Sequence, residues 1–140
     1  MHFYQSSGET AANAALFFCD EYSIYIFEDG WDHQIDSVNG CTVNKWQSTE
    51  SEDGRLWIVK MDETDLQTAQ SWIRDSFAEY DLLEDNQGGL GGTNADGNMI
   101  DVQIISVDDT AYLAIKMYAL EDAETLGVLI NVMTDTLELI

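Results

Sequence analysis

The sequence predicts an α+β fold: one antiparallel sheet of about five strands with helices packed on it, in the order α-β-(β)-β-α-β-β-α. Length, composition and patterning lead to this prediction. The chain has 140 residues, the size of a single domain, and 45% of them are hydrophobic, which is enough to build a core. Stretches with helical spacing of apolar residues alternate with short runs rich in β-branched and aromatic residues. We therefore treat residues 1–140 as a single acidic domain.

The first part of the chain is predicted to form a helix followed by strands. Residues 6–19 contain a serine that can cap a helix and several alanines, which are strong helix formers. Residues 22–27 are rich in β-branched and aromatic side chains, which favours a strand. Residues 31–47 alternate loosely and include the hairpin signal Asn39-Gly40, so one or two strands are expected there.

The middle of the chain contains the strongest helix signal. A predicted strand over 55–61 precedes it. Apolar residues then recur at helical spacing from Leu66 to Tyr80, and Asp62 is expected to cap this helix. Residues 84–98 contain five glycines and no periodicity, which predicts a flexible loop rich in glycine and asparagine.

The last part of the chain is predicted to form two strands and a helix. The strands cover 100–107 and 111–118 and are joined by a tight turn at Asp108-Asp109. Asp122 is expected to cap the helix that follows. The apolar residues of its buried face are Leu126, Leu129, Ile130, Met133 and Leu137.

The net charge is the most unusual property of the chain. It has 27 acidic residues against five basic ones, a formal charge of −22. A folded domain of this size exposes roughly 7,300 Å², about one net charge per 330 Å², whereas duplex DNA carries about one per 110 Å². Gathered on about a third of the surface, the charge would match DNA. Three explanations fit: a strongly basic partner, adaptation to high salt, or solubility.

No pattern for catalysis or for a cofactor is found. The potential zinc ligands, which lack zinc-site spacing, are His2, His33, Cys19 and Cys41. Residues 94–98 resemble part of a calcium loop, but Ile105 stands where that loop needs a glutamate. The glycines at 88–92 lack the lysine of a phosphate-binding loop. We therefore expect no enzyme, no metal and no cofactor.

Partners are constrained by the same composition. Direct binding of nucleic acid is not expected, because phosphate contacts need Lys and Arg. No apolar run is long enough to cross a membrane. Cys19 and Cys41 give no disulfide framework, so we expect buried free thiols in a reducing cytoplasm. The remaining partner is a basic protein, in particular one that binds nucleic acid.

Small, acidic, cofactor-free domains of this kind resemble phage-encoded DNA-mimic proteins, such as anti-CRISPR and anti-restriction proteins. The resemblance covers size and charge, and no residue is carried over from it. It implies an inhibitor whose carboxylates stand where phosphates normally bind. Such a protein would act in the cytoplasm of a bacterial host, on the nucleic-acid-binding site of a basic protein.

Two alternatives remain open. The predicted element order, the acidity and the closing segment DVQIISVDDTAYLAIKMYALEDAETLGVLINVM resemble class I type III secretion chaperones. That resemblance implies a small cytoplasmic dimer that holds an extended effector segment. An immunity protein against a basic nuclease toxin shares the physics of the inhibitor and differs in its target. The sequence does not decide whether the chain forms a homodimer.

We expect the contacting residues on turns and on the exposed face of the central helix. Trp31 lies beside an acidic turn, and tryptophan is enriched among residues that dominate binding energy. Trp46 is also expected at a sheet edge or an interface, whereas Trp57 and Trp72 are expected in the core. The candidate partner-binding residues are Asp29, Asp32, Glu50, Glu52, Asp53, Asp75, Glu79, Glu84, Asp85 and Trp31.

Overall fold

The computed structural model describes residues 3–6, 14–19, 21–27 and 29–139. These residues form eleven strands, two α-helices and one 3₁₀ turn. The first strands are β1 (Phe3–Ser6), β2 (Ala14–Phe18), β3 (Tyr22–Phe27), β4 (Trp31–Val38), β5 (Cys41–Ser48) and β6 (Arg55–Met61). The next elements are α1 (Leu66–Ser76), β7 (Tyr80–Glu84), β8 (Leu90–Asn94), β9 (Asn98–Val107) and β10 (Thr110–Ala119). The last are the 3₁₀ turn (Leu120–Asp122), α2 (Leu126–Thr134) and β11 (Glu138–Leu139).

The strands form two antiparallel sheets. The larger has seven strands in the order β4-β5-β6-β10-β9-β8-β7. Strands that follow one another along the chain pair as hairpins, and the pairing of β6 with β10 joins the two halves. The smaller sheet has the order β1-β2-β3-β11.

The seven-stranded sheet is the middle layer of the molecule. Successive residues of its central strand β10 face opposite sides, so Leu113 contributes to one core cluster and Ala114 to the other. α1 packs on the first side through Ala69, Trp72 and Ile73. The smaller sheet and α2 pack on the second side. Because β10 is buried on both faces, its sequence is almost continuously apolar.

The predicted fold class is wrong, because the protein is mostly β and has about twice the expected number of strands. Part of the error lies in the helix predicted over 6–19. Residues 14–18 instead form β2, which pairs with β1 on one side and β3 on the other. Pairing on both sides outweighs the helix propensity of the alanines. Residues 7–13 lie outside the described residues.

The flexible loop predicted over 84–98 is also wrong. These residues contain β8, which pairs with β7 and β9 in the large sheet. The glycines are needed for close packing of strands, since a Cβ atom at Gly92 would overlap the backbone carbonyl of Asp81. Glycine in this segment therefore marks a close backbone approach.

Both later helices are confirmed, with different ends and caps. The N-cap of α1 is Asp65, whose Oδ1 accepts a 2.8 Å hydrogen bond from the Thr68 N–H, and not Asp62 as predicted. Asp122 belongs to the 3₁₀ turn, and α2 starts after Thr125, which makes no side-chain cap. α2 ends at Thr134, so Leu137 packs against the core from outside the helix.

Candidate functional site: an acidic end beside an apolar helix face

Four turns meet at one end of the seven-stranded sheet. A backbone hydrogen bond of 2.8 Å from Thr49 to Gly30 joins the first turn to the second, and another of 2.9 Å joins the third to the fourth. Asn98 Nδ2 donates to Asp53 Oδ1 at 3.2 Å and links the second turn to the third. We call this surface the acidic end; its segments are 29–30, 48–54, 94–98 and 119–124.

The acidic end has eight carboxylates and no lysine or arginine within its segments. The carboxylates are those of Asp29, Glu50, Glu52, Asp53, Asp96, Glu121, Asp122 and Glu124. Asp53 and Asp122 are half-buried and the other six are exposed. None of them takes part in an ion pair within the described residues. Their charge is therefore left for solvent or a partner to neutralise.

The lysines are neutralised elsewhere. Lys45 pairs with Asp36 at 3.0 Å, and this contact holds the pKa of the Asp36 carboxyl below its usual value. The remaining pairs are Lys60 with Glu21 and Asp62, at 3.5 and 3.4 Å, and Lys116 with Asp101, at 3.2 Å. The ion pairs of the lysines thus lie on the strands, and Arg55, the base that directly follows the 48–54 turn, forms no ion pair within the described residues.

The turn over 48–54 is held by side chains of its own sequence. Gln47 Nε2 lies 3.0 to 3.3 Å from four backbone carbonyl oxygens of this turn. Ser48 Oγ accepts from the backbone N–H groups of Glu50 and Ser51 at 3.2 and 3.3 Å. These contacts fix the backbone that carries Glu50 and Glu52, so little ordering of that backbone is needed on binding.

A small cavity opens at the border of the acidic end. Its volume is about 260 Å³. The lining residues are Phe27, Asp29, Gly30, Trp31, Ser48, Glu50, Leu126 and Leu129. Two carboxylates at a cavity with aromatic and aliphatic walls suit a cation on an apolar stem, as in lysine or arginine. We call this cavity the acidic pocket.

An apolar helix face lies beside the acidic pocket. Val128, Leu129 and Val132 of α2 are 50%, 41% and 44% exposed. Val128 and Val132 lie on the side of the helix opposite the buried Leu126 and Ile130, and Leu129 lies between the two sides. We call these three residues the α2 patch, and Leu129 belongs both to the patch and to the pocket wall.

The structure brings together five of the ten predicted site residues. Asp29, Glu50 and Trp31 line the acidic pocket, and Glu52 and Asp53 lie on the adjoining turn. Asp32 is exposed on β4, next to Trp31.

Glu79 lies at the border of the acidic end. It directly precedes Tyr80, a core residue at the start of β7. Burial raises the pKa of Tyr80, Arg55 opposes this, and the charges of Glu79 and Asp53 add to it. Two predicted site residues from distant parts of the sequence therefore act on the same phenol.

The other predicted acids lie apart from this site. Asp75 is exposed on α1. Glu84 Oε1 accepts from Gln70 Nε2 at 3.0 Å. Asp85 Oδ1 accepts from the N–H groups of Gln87 and Gly89 and stabilises the turn before β8. Glu84 and Asp85 thus have local structural roles.

Sequence reasoning missed four acids and the α2 patch. The four acids are Asp96, Glu121, Asp122 and Glu124, which only the meeting of the turns places beside the others. The α2 patch was missed because Leu129 was assigned to the buried face. The sequence did contain a signal of this patch. The nine residues of α2 include no charged residue, so a helix with one side in solvent must expose apolar side chains there.

The tryptophans and cysteines differ partly from expectation. Trp46 is 1% exposed, so its expected place at an edge or interface is wrong; β5 continues to Ser48 and turns this side chain inward. Trp72 is buried as predicted, and Trp57 is half-buried against the same core. The two cysteines are free but only half-buried, and partial burial raises the pKa of both thiols.

A larger cleft of about 660 Å³ contains both cysteines. Its one basic residue, Lys60, is already paired with Glu21 and Asp62. No group of three His, Cys, Asp or Glu side chains suited to a metal is found in the described part of the chain. No α-helix of that part has the length and apolar character needed to cross a membrane.

Comparison with known proteins shows the fold and not a family. No family model matches the chain, and no curated protein matches it. The structure is similar to the solution structure of cyanobacterial PsbP (CyanoP) from Synechocystis sp. PCC 6803, with a TM-score of 0.59 over 97% of this chain and 98% of that chain. The two sequences are 10% identical, so the likeness concerns the fold alone.

Proposed function

We propose that this protein is a non-enzymatic inhibitor whose acidic end occupies the nucleic-acid-binding site of a basic protein. The observation that carries the proposal is the gathering of eight carboxylates on four joined turns that contain no base. Only one of these carboxylates, that of Asp53, accepts a side-chain hydrogen bond from another described residue. A surface of this kind favours a positively charged partner over any small-molecule reaction.

The size of the acidic end suits a single protein interface. The net charge of −22 over an accessible surface of 7793 Å² is one charge per 354 Å², dilute compared with DNA. Eight charges at the density of duplex DNA would cover about 880 Å², and a standard interface covers about 800 Å² on each partner. An interface of standard size therefore has room for about eight charges at the density of duplex DNA.

This function predicts rapid association with the partner that slows as the salt concentration rises. Complementary charge accelerates encounter with a basic partner, and screening by salt removes that acceleration. Competition with DNA follows, because both ligands neutralise the same basic groups. We propose that the protein acts in the cytoplasm, which for a phage-encoded protein is that of the bacterial host.

The test begins with affinity capture from host lysate, followed by a competition assay on the captured protein. We expect a nucleic-acid-binding protein that leaves the column at moderate salt and loses its DNA when the acidic protein is added. The variant Glu52→Lys/Asp96→Lys/Glu121→Lys removes charge from the acidic end outside the acidic pocket. It should weaken the competition with DNA by about tenfold or more.

The matched control places the same change at the opposite end of the sheet. Glu63→Lys/Asp108→Lys/Asp109→Lys alters three exposed acids and, like the first variant, changes the net charge from −22 to −16 by replacing three negative charges with three positive ones. We expect it to lower the rate of association slightly and to retain inhibition. Equal losses in the two variants would show that net charge alone matters, and would contradict the proposal.

The other functions expected from sequence are affected differently. An immunity protein would use the same surface, and capture of a nuclease toxin in place of a host factor would identify that case. The chaperone resemblance rested on acidity, on the closing segment and on an element order that the structure contradicts, because β2 and β8 stand where a helix and a loop were expected. We therefore do not propose a chaperone.

A further inference from the structure

We infer that the α2 patch and the acidic pocket form one anchor for a basic amphipathic helix of the partner. Apolar side chains of that helix would lie on Val128, Leu129 and Val132, and a lysine or arginine from the same face would enter the acidic pocket. This inference rests on the proposed function and adds the kind of segment that is recognised.

The first argument is the composition of α2. Leu126, Ile130 and Met133 are buried against the sheet, while Val128 and Val132 lie on the opposite side of the helix. A helix that is apolar on both sides is typical of one that is covered on both sides. One side of α2 is covered by this chain, and the other presents apolar surface to solvent.

The second argument is the chemistry of the acidic pocket. Asp29 and Glu50 supply two carboxylates from different turns, and Trp31 and Phe27 supply aromatic surface. Arginine fits both features, because its planar guanidinium pairs with carboxylates and stacks on aromatic rings. No lysine or arginine of the described chain lines this pocket.

The third argument is the continuity of the two features. Leu129 lines the acidic pocket and also belongs to the α2 patch. An occupant that covers the patch therefore reaches the pocket within about one helical turn, and residues three or four apart share a face of a helix. The partner segment is expected to carry two apolar residues four apart and a base one turn away on the same face.

Charge disfavours a second copy of this chain as the occupant. Glu121, Asp122 and Glu124 precede α2, and Asp135 follows it. Two copies joined through the α2 patch would bring these acids together across a two-fold axis, and each copy has a net charge of −22. The repulsion opposes dimerisation and favours a cationic helix.

The experiment uses the full chain and a synthetic helical peptide of about 18 residues, or five turns, with leucines and arginines along one face. Binding is followed by two-dimensional amide NMR up to about 1 mM peptide, the concentration range of a weak but specific contact. We expect shifts of the α2 amides and of the Trp31 indole N–H. Replacing the arginines by glutamine, or the leucines by serine, should each weaken binding about tenfold.

Variants of the protein complete the test. Val128→Ser/Val132→Ser removes the apolar contact, and Asp29→Asn/Glu50→Gln removes the charge of the acidic pocket; each should weaken peptide binding about tenfold. Leu83→Ser, at a side chain that is 71% exposed on β7, is the control and should leave binding unchanged. Equal binding by all variants, or no binding at about 1 mM, would overturn the inference.

Failure of the anchor can be distinguished from failure of the proposed function. If Glu52→Lys/Asp96→Lys/Glu121→Lys loses competition with DNA while the pocket and patch variants keep it, the inhibitor stands and the anchor is wrong. A concentration-dependent dimer in analytical ultracentrifugation that Val128→Ser/Val132→Ser abolishes would also overturn the inference, because it would make a second copy the occupant.

Discussion

The two helices pack on opposite faces of one sheet, and their outer faces differ in character. α1 buries Ala69, Trp72 and Ile73 and turns polar residues such as Ser71 and Asp75 to solvent. α2 buries Leu126, Ile130 and Met133 and exposes the α2 patch to solvent. The same sheet therefore carries one helix whose outer face is mostly polar and one whose outer face is mostly apolar.

The side-chain hydrogen bonds of the two helices also differ. The outer side chains of α1 bind the neighbouring hairpin: Gln70 Nε2 donates to the Gly88 carbonyl at 2.8 Å and Arg74 Nη1 to the Leu82 carbonyl at 3.4 Å. α2 lacks a side-chain cap, and its outer residue Asn131 accepts from Lys116 Nζ at 3.0 Å. The polar contacts of α1 use its outer face, whereas those of α2 leave the α2 patch free.

The largest expected effect concerns the buried faces, where the two helices should behave alike. Ile73 in α1 and Ile130 in α2 are both fully buried. Replacing either with alanine is expected to cost about 2–5 kcal/mol, through lost burial and the cavity left behind. Chemical denaturation with a two-state fit measures both values. A loss below about 1 kcal/mol for Ile130→Ala alone would show that α2 is poorly packed on its inner side as well.

A smaller loss is expected where Gly127 of α2 packs against Tyr118 of the sheet. A Cβ atom at Gly127 would lie 3.1 to 3.2 Å from the ring of Tyr118, a tighter contact than carbon atoms normally make. Gly127→Ala should therefore destabilise the protein by about 1 kcal/mol, even though alanine favours a helix by about that amount. Thermal unfolding measures the difference. In a Tyr118→Leu background the same substitution should become neutral or stabilising, and an unchanged loss there would argue against the ring contact.

Asp65 distinguishes the start of α1 from the start of α2. Its hydrogen bond with Thr68 holds the pKa of the carboxyl below the ordinary 3.8, so the cap stabilises the folded state fully only while Asp65 is ionised in both states. Asp65→Ala should destabilise the protein at neutral pH, by less than the core variants. As pH falls below 3.8 towards the folded pKa, the difference from the parent chain should shrink.

The uncapped start of α2 provides the control for that measurement. Thr125→Ala should have the same small effect at every pH, because Thr125 makes no side-chain cap and its hydroxyl donates only to the backbone carbonyl of Asp122, at 3.2 Å. Denaturation midpoints from neutral pH to about pH 3 compare the variants. A difference between Asp65→Ala and the parent chain that stays constant across this range would show that the charge of the carboxylate does not contribute to the cap.

Local patterns predicted many elements correctly. The strands at 22–27 and 55–61 are confirmed, as is the hairpin at Asn39-Gly40, because alternation and turn chemistry act within a few residues. The helix over 6–19 and the loop over 84–98 are wrong, because pairing with distant strands decided both. That information lies outside any short window.

For the candidate site, as for the fold, the sequence indicated local features and not the arrangement of distant segments. Composition predicted a carboxylate surface, and Asp29, Glu50 and Trp31, which were chosen from sequence as neighbours of turns, line one pocket in the structure. Which turns meet depends on the order of seven strands, and the sequence did not reveal that order. Glu121 and Glu124 could therefore not be assigned to the same surface as Glu50 from sequence alone.

A small effect on stability per site is expected at the α2 patch, and it gives the sharpest contrast between the helices. Val128 and Val132 are about half exposed, so Val128→Ser/Val132→Ser should change the free energy of unfolding by no more than about 0.5 kcal/mol per site. The same double variant should weaken binding of the partner about tenfold. On α1, Ser71→Ala, at an exposed polar residue, should leave binding of the partner unchanged and raise stability slightly, because alanine is the better helix former. A large loss of stability in the valine variant would mean that these side chains belong to the fold of the free protein, and the difference between the two outer faces would then have no bearing on a partner.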